Sequence, residues 1–185
     1  MFMIVRSLKA LLCLAVCCLS LSVGVLAQAT GPEPGAQPLS NADQVAMRQA
    51  IGELRVSMEL ARLAQQRGGS EPIRRLGERA LQDGGRLVAE LERIGAARGW
   101  RMPSGLWRVG RAVVDVIGGL NGSAFDVAYS KEAAAGTARL VATFNQMSLT
   151  ATDAELKARA TESLPALREQ LQAARALDRN VTLGP

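Results

Sequence analysis

The stretch Leu120–Met147, LNGSAFDVAYSKEAAAGTARLVATFNQM, decides the fold. It opens with a Gly/Asn/Ser turn. Phe125, Tyr129, Ala133, Gly136, Leu140, Phe144 and Met147 then recur at steps of three and four. That spacing puts them on one face of a 3.6-residue helix, predicted from about Ser123 to Met147. The chain's only Tyr and two of its three Phe lie here, so this helix is expected to bring the largest side chains to the core.

Three other long stretches carry matching stripes. The first runs from about Asn41 to Gln66, with Ser40 as N-cap. Met47, Ile51, Leu54, Met58 and Ala61 form its stripe, widened by Val56, Leu60 and Leu63. Arg67-Gly68-Gly69 ends it, glycine being favoured where the chain turns left-handed. The second starts at Ser70, with Pro72 in the first turn, where its missing N–H costs nothing. It runs to about Arg98 through Ile73, Leu76, Ala80, Gly84, Leu87, Leu91 and Ile94. Gly84-Gly85 inside it costs about 1 kcal/mol per residue relative to Ala, so local propensity does not explain them. The fourth long helix begins at Thr152, which forms a capping box with Glu155. Its stripe is Leu156, Ala160, Leu164, Leu167, Leu171 and Ala174, and Asp178-Arg179-Asn180 ends it. Pro165 predicts a kink or short break within it.

Between the second and third long helices, Pro103-Ser104-Gly105 breaks the chain. Leu106–Ile117 then reads as a short amphipathic helix, with Leu106, Val109, Val113 and Ile117 facing one way and Arg108, Arg111 and Asp115 off that face. A cap over one end of the bundle is the favoured reading. Trp100 and Trp107 nearby also fit an interfacial membrane helix, which is the alternative. No run of β-branched or aromatic residues has period two. The expected class is all-α: an up-and-down four-helix bundle with a short extra helix between helices two and three.

The ends read differently. In residues 1–27, Arg6 and Lys9 precede the apolar run Ala10–Leu21, and Val25-Leu26-Ala27 offers a cleavage site, as does Ala27-Gln28-Ala29. This is a signal peptide in pattern. Cys13, Cys17 and Cys18, the only cysteines, all fall within it. Val16 before Cys17 does not suit lipid attachment, and the mature chain can form no disulfide. Residues 28–40 read as a linker, three of the seven prolines lying in Thr30–Leu39. Residues 41–178 make the helical domain and 179–185 a C-terminal tail. The expected address is outside the cytoplasm, periplasmic or outer-membrane-associated.

Cleavage leaves 20 Lys+Arg against 17 Asp+Glu, a net charge of +3. That is too weak for nucleic acid, and no aromatic-rich basic motif accompanies it. The excess lies in Asp43–Arg111, with 13 basic and 8 acidic residues. The partners expected are therefore an envelope protein or an anionic surface met through this Arg-rich first half. Histidine is absent altogether. A Ser/His/Asp arrangement is thereby excluded, and the mature chain has no cysteine nucleophile. Lys131 and Lys157 have no activating context. Gly118-Gly119-Leu120-Asn121-Gly122 follows no strand, so it is a turn and not a phosphate loop.

Several segments carry a likeness: Leu60–Ala64, Arg75–Ala80, Ala124-Phe125-Asp126-Val127-Ala128-Tyr129, Ala154–Ala158 and Leu164-Pro165-Ala166-Leu167-Arg168-Glu169. On these, over about Asn41–Leu177, the chain resembles exported bacterial ferritin-like proteins of unknown function, often labelled outer-membrane or periplasmic. The resemblance implies a ferritin-like bundle. It also implies inward-facing histidines at Gly84, Gly136 and Gln170, and an acidic residue at Ser57. All four positions carry other residues here, and neither Gly nor Gln replaces imidazole at a transition-metal site. No catalytic residue, metal ligand or cofactor is expected. Glu59, Glu90, Asp126 and Glu132, near the stripe edges, are expected to meet solvent or arginine, and Asp126 to serve the first turn of its own helix. The favoured function is non-enzymatic binding or structural support in the envelope. The alternative is a metal-binding or redox/stress-linked protein using carboxylates alone.

Overall fold

The computed structural model describes residues 37–183. The expected signal peptide with its three cysteines, and the linker as far as residue 36, lie outside the described residues. Five helices follow in order: α1 (Asn41–Arg67), α2 (Glu71–Ala97), α3 (Arg108–Gly118), α4 (Gly122–Thr150) and α5 (Ala154–Leu183). No strand occurs among the described residues, although Gly68 and Gly122 form one isolated bridge between turns.

The helices begin and end for local reasons. Ser40 caps α1, its Oγ accepting from the Asp43 N–H at 3.1 Å. Gly68 ends α1 at φ −57°, so the left-handed turn expected there does not occur. Space is what requires glycine: a Cβ would lie 2.5 Å from the Ala64 carbonyl oxygen and 2.9 Å from Ile73 Cγ2. The left-handed turn comes instead after α2. Gly99 has φ +72°. Trp100 N–H donates to Gly95 O at 2.8 Å and Gly99 N–H to Ala96 O at 3.0 Å. This pair of hydrogen bonds is a Schellman motif. Its hydrophobic contact is Trp100 folded back over Gly95, where a Cβ would stand 2.6 Å from the indole.

At α5 the expected capping box gives way to a different cap. Asp153 accepts from the Leu156 N–H at 2.9 Å, while the Thr152 hydroxyl donates to Asp43 and Glu155 pairs with Arg93 and Arg98. Pro165 sits inside an unbroken helix. It is exposed, so water can serve the carbonyl it leaves free. The helix also continues past Asn180 to Leu183, because Ala174, Leu177 and Val181 extend the apolar stripe. Part of the expected tail 179–185 is therefore helical.

α1 packs most extensively on α2, and α4 on α5. The short α1–α2 and α4–α5 connections make each pair an antiparallel hairpin. α1 against α4 joins the hairpins, α2 meets α5 sparsely, and α3 lies chiefly on α1. Two apolar clusters fill the interior. One gathers Met47, Ile51, Leu54, Leu91, Phe144, Leu156 and Leu167, with Leu39 from the end of the expected linker. The other gathers Val56, Leu60, Ile73, Leu76, Ile117, Phe125, Tyr129 and Ala174. Phe125 and Tyr129 stack with centroids 5.7 Å apart. The α4 stripe drifts from its expected line: Ala134 and Thr137 are buried, while Ala133 and Gly136 are half-buried at the edge. Leu171 of α5 is likewise half-buried. α3 is turned about its axis relative to expectation. Gly110 and Ile117 face inward, and Val109 is 70% exposed. The cause is Trp107, whose ring fills notches at Gly52 of α1 and Gly110 of α3, where any Cβ would collide with it.

Two buried carboxylates tie the hairpins at opposite ends. Asp43 of α1 accepts from the Thr152 hydroxyl at 2.5 Å and from the Thr152 and Asp153 N–H groups at 3.2 Å. Asp126 of α4 accepts from the Gly69 N–H of the α1–α2 turn at 2.8 Å. Asp126 thus serves the opposite hairpin and not the first turn of its own helix, which holds no acidic residue. Burial pushes the Asp43 carboxyl up, but hydrogen bonds from Thr152, Ser40 and Asp153 outweigh it and hold the group below its ordinary 3.8. A carboxylate lowered in the folded state contributes stability above the unfolded value and loses it as pH falls through the folded one. Beside it, Arg98 just beyond α2 binds Asp153 and Glu155 at 2.9 Å each, a cation at one helix C-terminus and anions at another's N-terminus.

The glycine notches predict opposite outcomes for one kind of substitution. Gly85→Ala meets only Met58 Cε at 3.9 Å, so it is expected to stabilise by about 1 kcal/mol. Gly52→Ala drives a methyl into the Trp107 ring and is expected to destabilise by about 1–3 kcal/mol. Urea denaturation of the two variants measures both.

Candidate functional site

Ser57, Gly84, Gly136 and Gln170 fall at one level of the fold. On three long helices the position lies between the two apolar clusters: between Leu76 and Leu91 on α2, between Ala134 and Leu140 on α4, and between Leu167 and Ala174 on α5; on α1 Ser57 lies one residue past Val56, at the near edge of the second cluster. This waist is where an inner site would sit. The four positions do not share one cavity.

Ser57 and Gly136 come together. They line a crevice between α1 and α4 with Glu53, Val56, Leu60, Tyr129, Glu132 and Ala133. Its volume is about 10 Å³, which is room for a single water-sized sphere. A Cβ on Gly136 would meet Arg139 Nη2 at 3.5 Å, Glu132 Oε1 at 3.8 Å and Glu53 Oε2 at 3.9 Å. Two carboxylates from two helices therefore do approach the implied position. Both are held by Arg139, at 3.0 Å to Glu53 and 2.5 Å to Glu132. Burial lowers the affinity of the guanidinium for its proton, and the bonds it donates to Glu132 and Glu53 more than reverse this, so Arg139 is held above its ordinary value. The pair already has its cation, and that cation is a side chain. Tyr129 roofs the same crevice, and burial pushes its phenol above its ordinary range, so it stays neutral there.

Gly84 is buried on the other side of α1. A Cβ there would stand 3.1 Å from Met58 Cγ, 3.5 Å from its sulfur and 4.0 Å from Leu54 Cδ2. The flexible Met58 thus occupies the space a larger residue on α2 would take. Gln170 lines a separate groove between α2 and α5, of about 180 Å³. That is below the roughly 300 Å³ of an ordinary small-molecule site. Its charges are matched within it: Arg86 with Asp83, and Arg159 with Glu90 at 3.4 Å and Glu162 at 3.5 Å. Among the described residues no group of three or more His, Cys, Asp or Glu could hold a metal ion.

The edge carboxylates can now be placed. Glu59 meets Arg62, Glu90 meets Arg159 and Glu132 meets Arg139, while Asp126 meets a backbone N–H. Sequence reasoning missed Glu53, Met58 as a filler, and Arg139. Glu132 and Arg139 are seven residues apart, two turns along one face, which is a readable signal. The reach of Arg139 to Glu53, 86 residues away, has none.

Against known proteins, the family model described as Domain of unknown function (DUF4142) matches residues 28–177 of this chain. No curated protein and no solved structure matches it.

Arg139 makes a prediction about the crevice. Arg139→Gln leaves Glu53 and Glu132, with side chains only 12% and 22% exposed, facing each other without a cation. Loss of about 1–2 kcal/mol is expected, moderated by the partial exposure of the arginine. Adding Glu53→Gln should recover part of it, because the like-charge contact is gone. Chemical denaturation of the single and double variants checks both steps.

Proposed function

The chain belongs to the DUF4142 family of unknown function, and we propose on that premise that it is a non-enzymatic, exported protein acting by binding or structural support in the bacterial envelope. We read its fold as a ferritin-like four-helix bundle with α3 in the crossover; the simple up-and-down order expected from the sequence does not hold, because the Asp43–Thr152 and Asp126–Gly69 contacts at opposite ends make α2 and α4 run the same way. In its favour, α1–α2 and α4–α5 form hairpins, and all four helix pairs α1–α2, α4–α5, α1–α4 and α2–α5 make contact. Export is inferred from the pattern of residues 1–27.

The observation that carries the reading is the filled waist. Gly84 is covered by Met58, and the Glu53–Glu132 pair near Gly136 is occupied by the Arg139 guanidinium. The imidazole ligands that the resemblance implies are absent, since the chain has no His. The packing stripes persist without them. The Arg-rich first half is the proposed contact, with an envelope protein or anionic surface opposite. The competing reading, a carboxylate-only metal or redox centre, requires that Arg139 be displaced from both its partners.

The test is the metal content of the protein recovered from the periplasm without an affinity tag. A stably helical protein with no stoichiometric transition metal is expected. One metal ion per chain would establish the carboxylate centre instead.

A further inference from the structure

We infer that α3 is a docking face for an anionic lipid surface. The inference rests on the envelope reading above and names its partner. Val109 and Val116 are 70% and 71% exposed. With Ala112, also exposed, they recur at steps of three and four and so share one side of the helix. Trp107, at 36%, adds an exposed edge at the start of the same segment. Half of the exposed large apolar side chains among the described residues thus fall between residues 107 and 116.

The charge beside this strip is positive and unspent. Arg108 and Arg111 are exposed on α3, and Arg101 is exposed in the loop that leads into it. None of the three makes an ion pair among the described residues. Asp115 is the helix's one acidic residue. Exposed valines bordered by unpaired arginines match an interface where hydrocarbon begins beneath a layer of phosphates.

The face is also held rigid from behind. The Trp107 ring is set into Gly52 and Gly110, Ile117 is buried, and the Arg67 guanidinium bonds the Gly118 carbonyl oxygen. At 11 residues α3 is about 16 Å long, so the contact is peripheral and parallel to the surface. No helix among the described residues is long and apolar enough to cross a membrane.

The experiment is vesicle flotation of the protein expressed with its own leader and recovered as exported. All variants share one N-terminus, so differences between them report α3 alone. Vesicles are phosphatidylcholine alone, or phosphatidylcholine with about a third phosphatidylglycerol. The expected result is flotation with the anionic vesicles only, weakened by salt. Arg108→Gln with Arg111→Gln should lower partitioning about thirty-fold. Val109→Asp with Val116→Asp should abolish it, with helical circular dichroism unchanged because both sites face solvent. If the aspartate pair disturbs folding, Val109→Ser with Val116→Ser replaces it and should still weaken binding. No binding to anionic vesicles, or equal binding by all variants, overturns the inference. A concentration-dependent dimer lost in the valine variants also overturns it, since a second copy would then cover the face. Export is scored separately by cell fractionation: a cytoplasmic protein that still binds would sink the envelope reading and leave the docking face standing.

Discussion

Two buried aspartates hold this fold in register. Asp43, at the start of α1, takes the hydroxyl and backbone N–H groups of the turn that begins α5. Asp126, near the start of α4, takes a backbone N–H of the turn that begins α2. Each hairpin thus supplies one carboxylate, and each carboxylate grips the other hairpin's neighbourhood at one end. The apolar core between them is non-directional and would tolerate sliding. Hydrogen bonds to a charged acceptor are directional and strong, so the ends set the register that the core then fills.

Within that frame the interior is built by subtraction. Aromatic residues are only 3% of the chain, and glycine and alanine supply much of the helix contact. Where a large ring does enter, a glycine receives it: Gly95 under Trp100, and Gly52 and Gly110 around Trp107. At the waist the same logic has a functional consequence. Glycine at positions 84 and 136 does not leave a ligand cavity, because Met58 and the Arg139 guanidinium occupy the space and the charge. The α2–α5 groove, the loosest seam, balances its own charges. Unspent chemistry is therefore found on the outside, above all on α3.

Much of the architecture was legible in the sequence, because period and capping are local. The long helices, Ser40 as cap, Pro72 in a first turn and the short helix before α4 all follow from residues a few positions apart. What was not legible depends on distant partners. Thr152 looks like a cap until Asp43, 109 residues away, claims its hydroxyl. Val109 looks like core until Trp107 finds its notch in α1 and turns α3. Pro165 looks like a break, yet its exposure lets the helix pass through it. The candidate site was legible only as separate positions: Ser57 and Gly136 line one crevice, Gly84 lies against Met58, and Gln170 lines another groove. It was not legible as a cavity, because the fillers Met58, Glu53 and Arg139 carry no local mark of that role.

What emerges is a latched pair of helical hairpins with an occupied interior and one basic, apolar outer face. The most direct measurement of the latch is urea denaturation of Asp43→Asn, Asp126→Asn and the double variant at pH 7. Each single change is expected to lose about 1–3 kcal/mol, and the double variant close to their sum, because the ends are roughly 40 Å apart along α1. The Asp43 loss should begin to shrink as pH falls below the ordinary 3.8, where the unfolded carboxyl takes up a proton first, and should be gone once pH has fallen through the lower folded value. Two single variants within 0.5 kcal/mol of the parent would contradict the latch and leave the apolar core as the sole source of register.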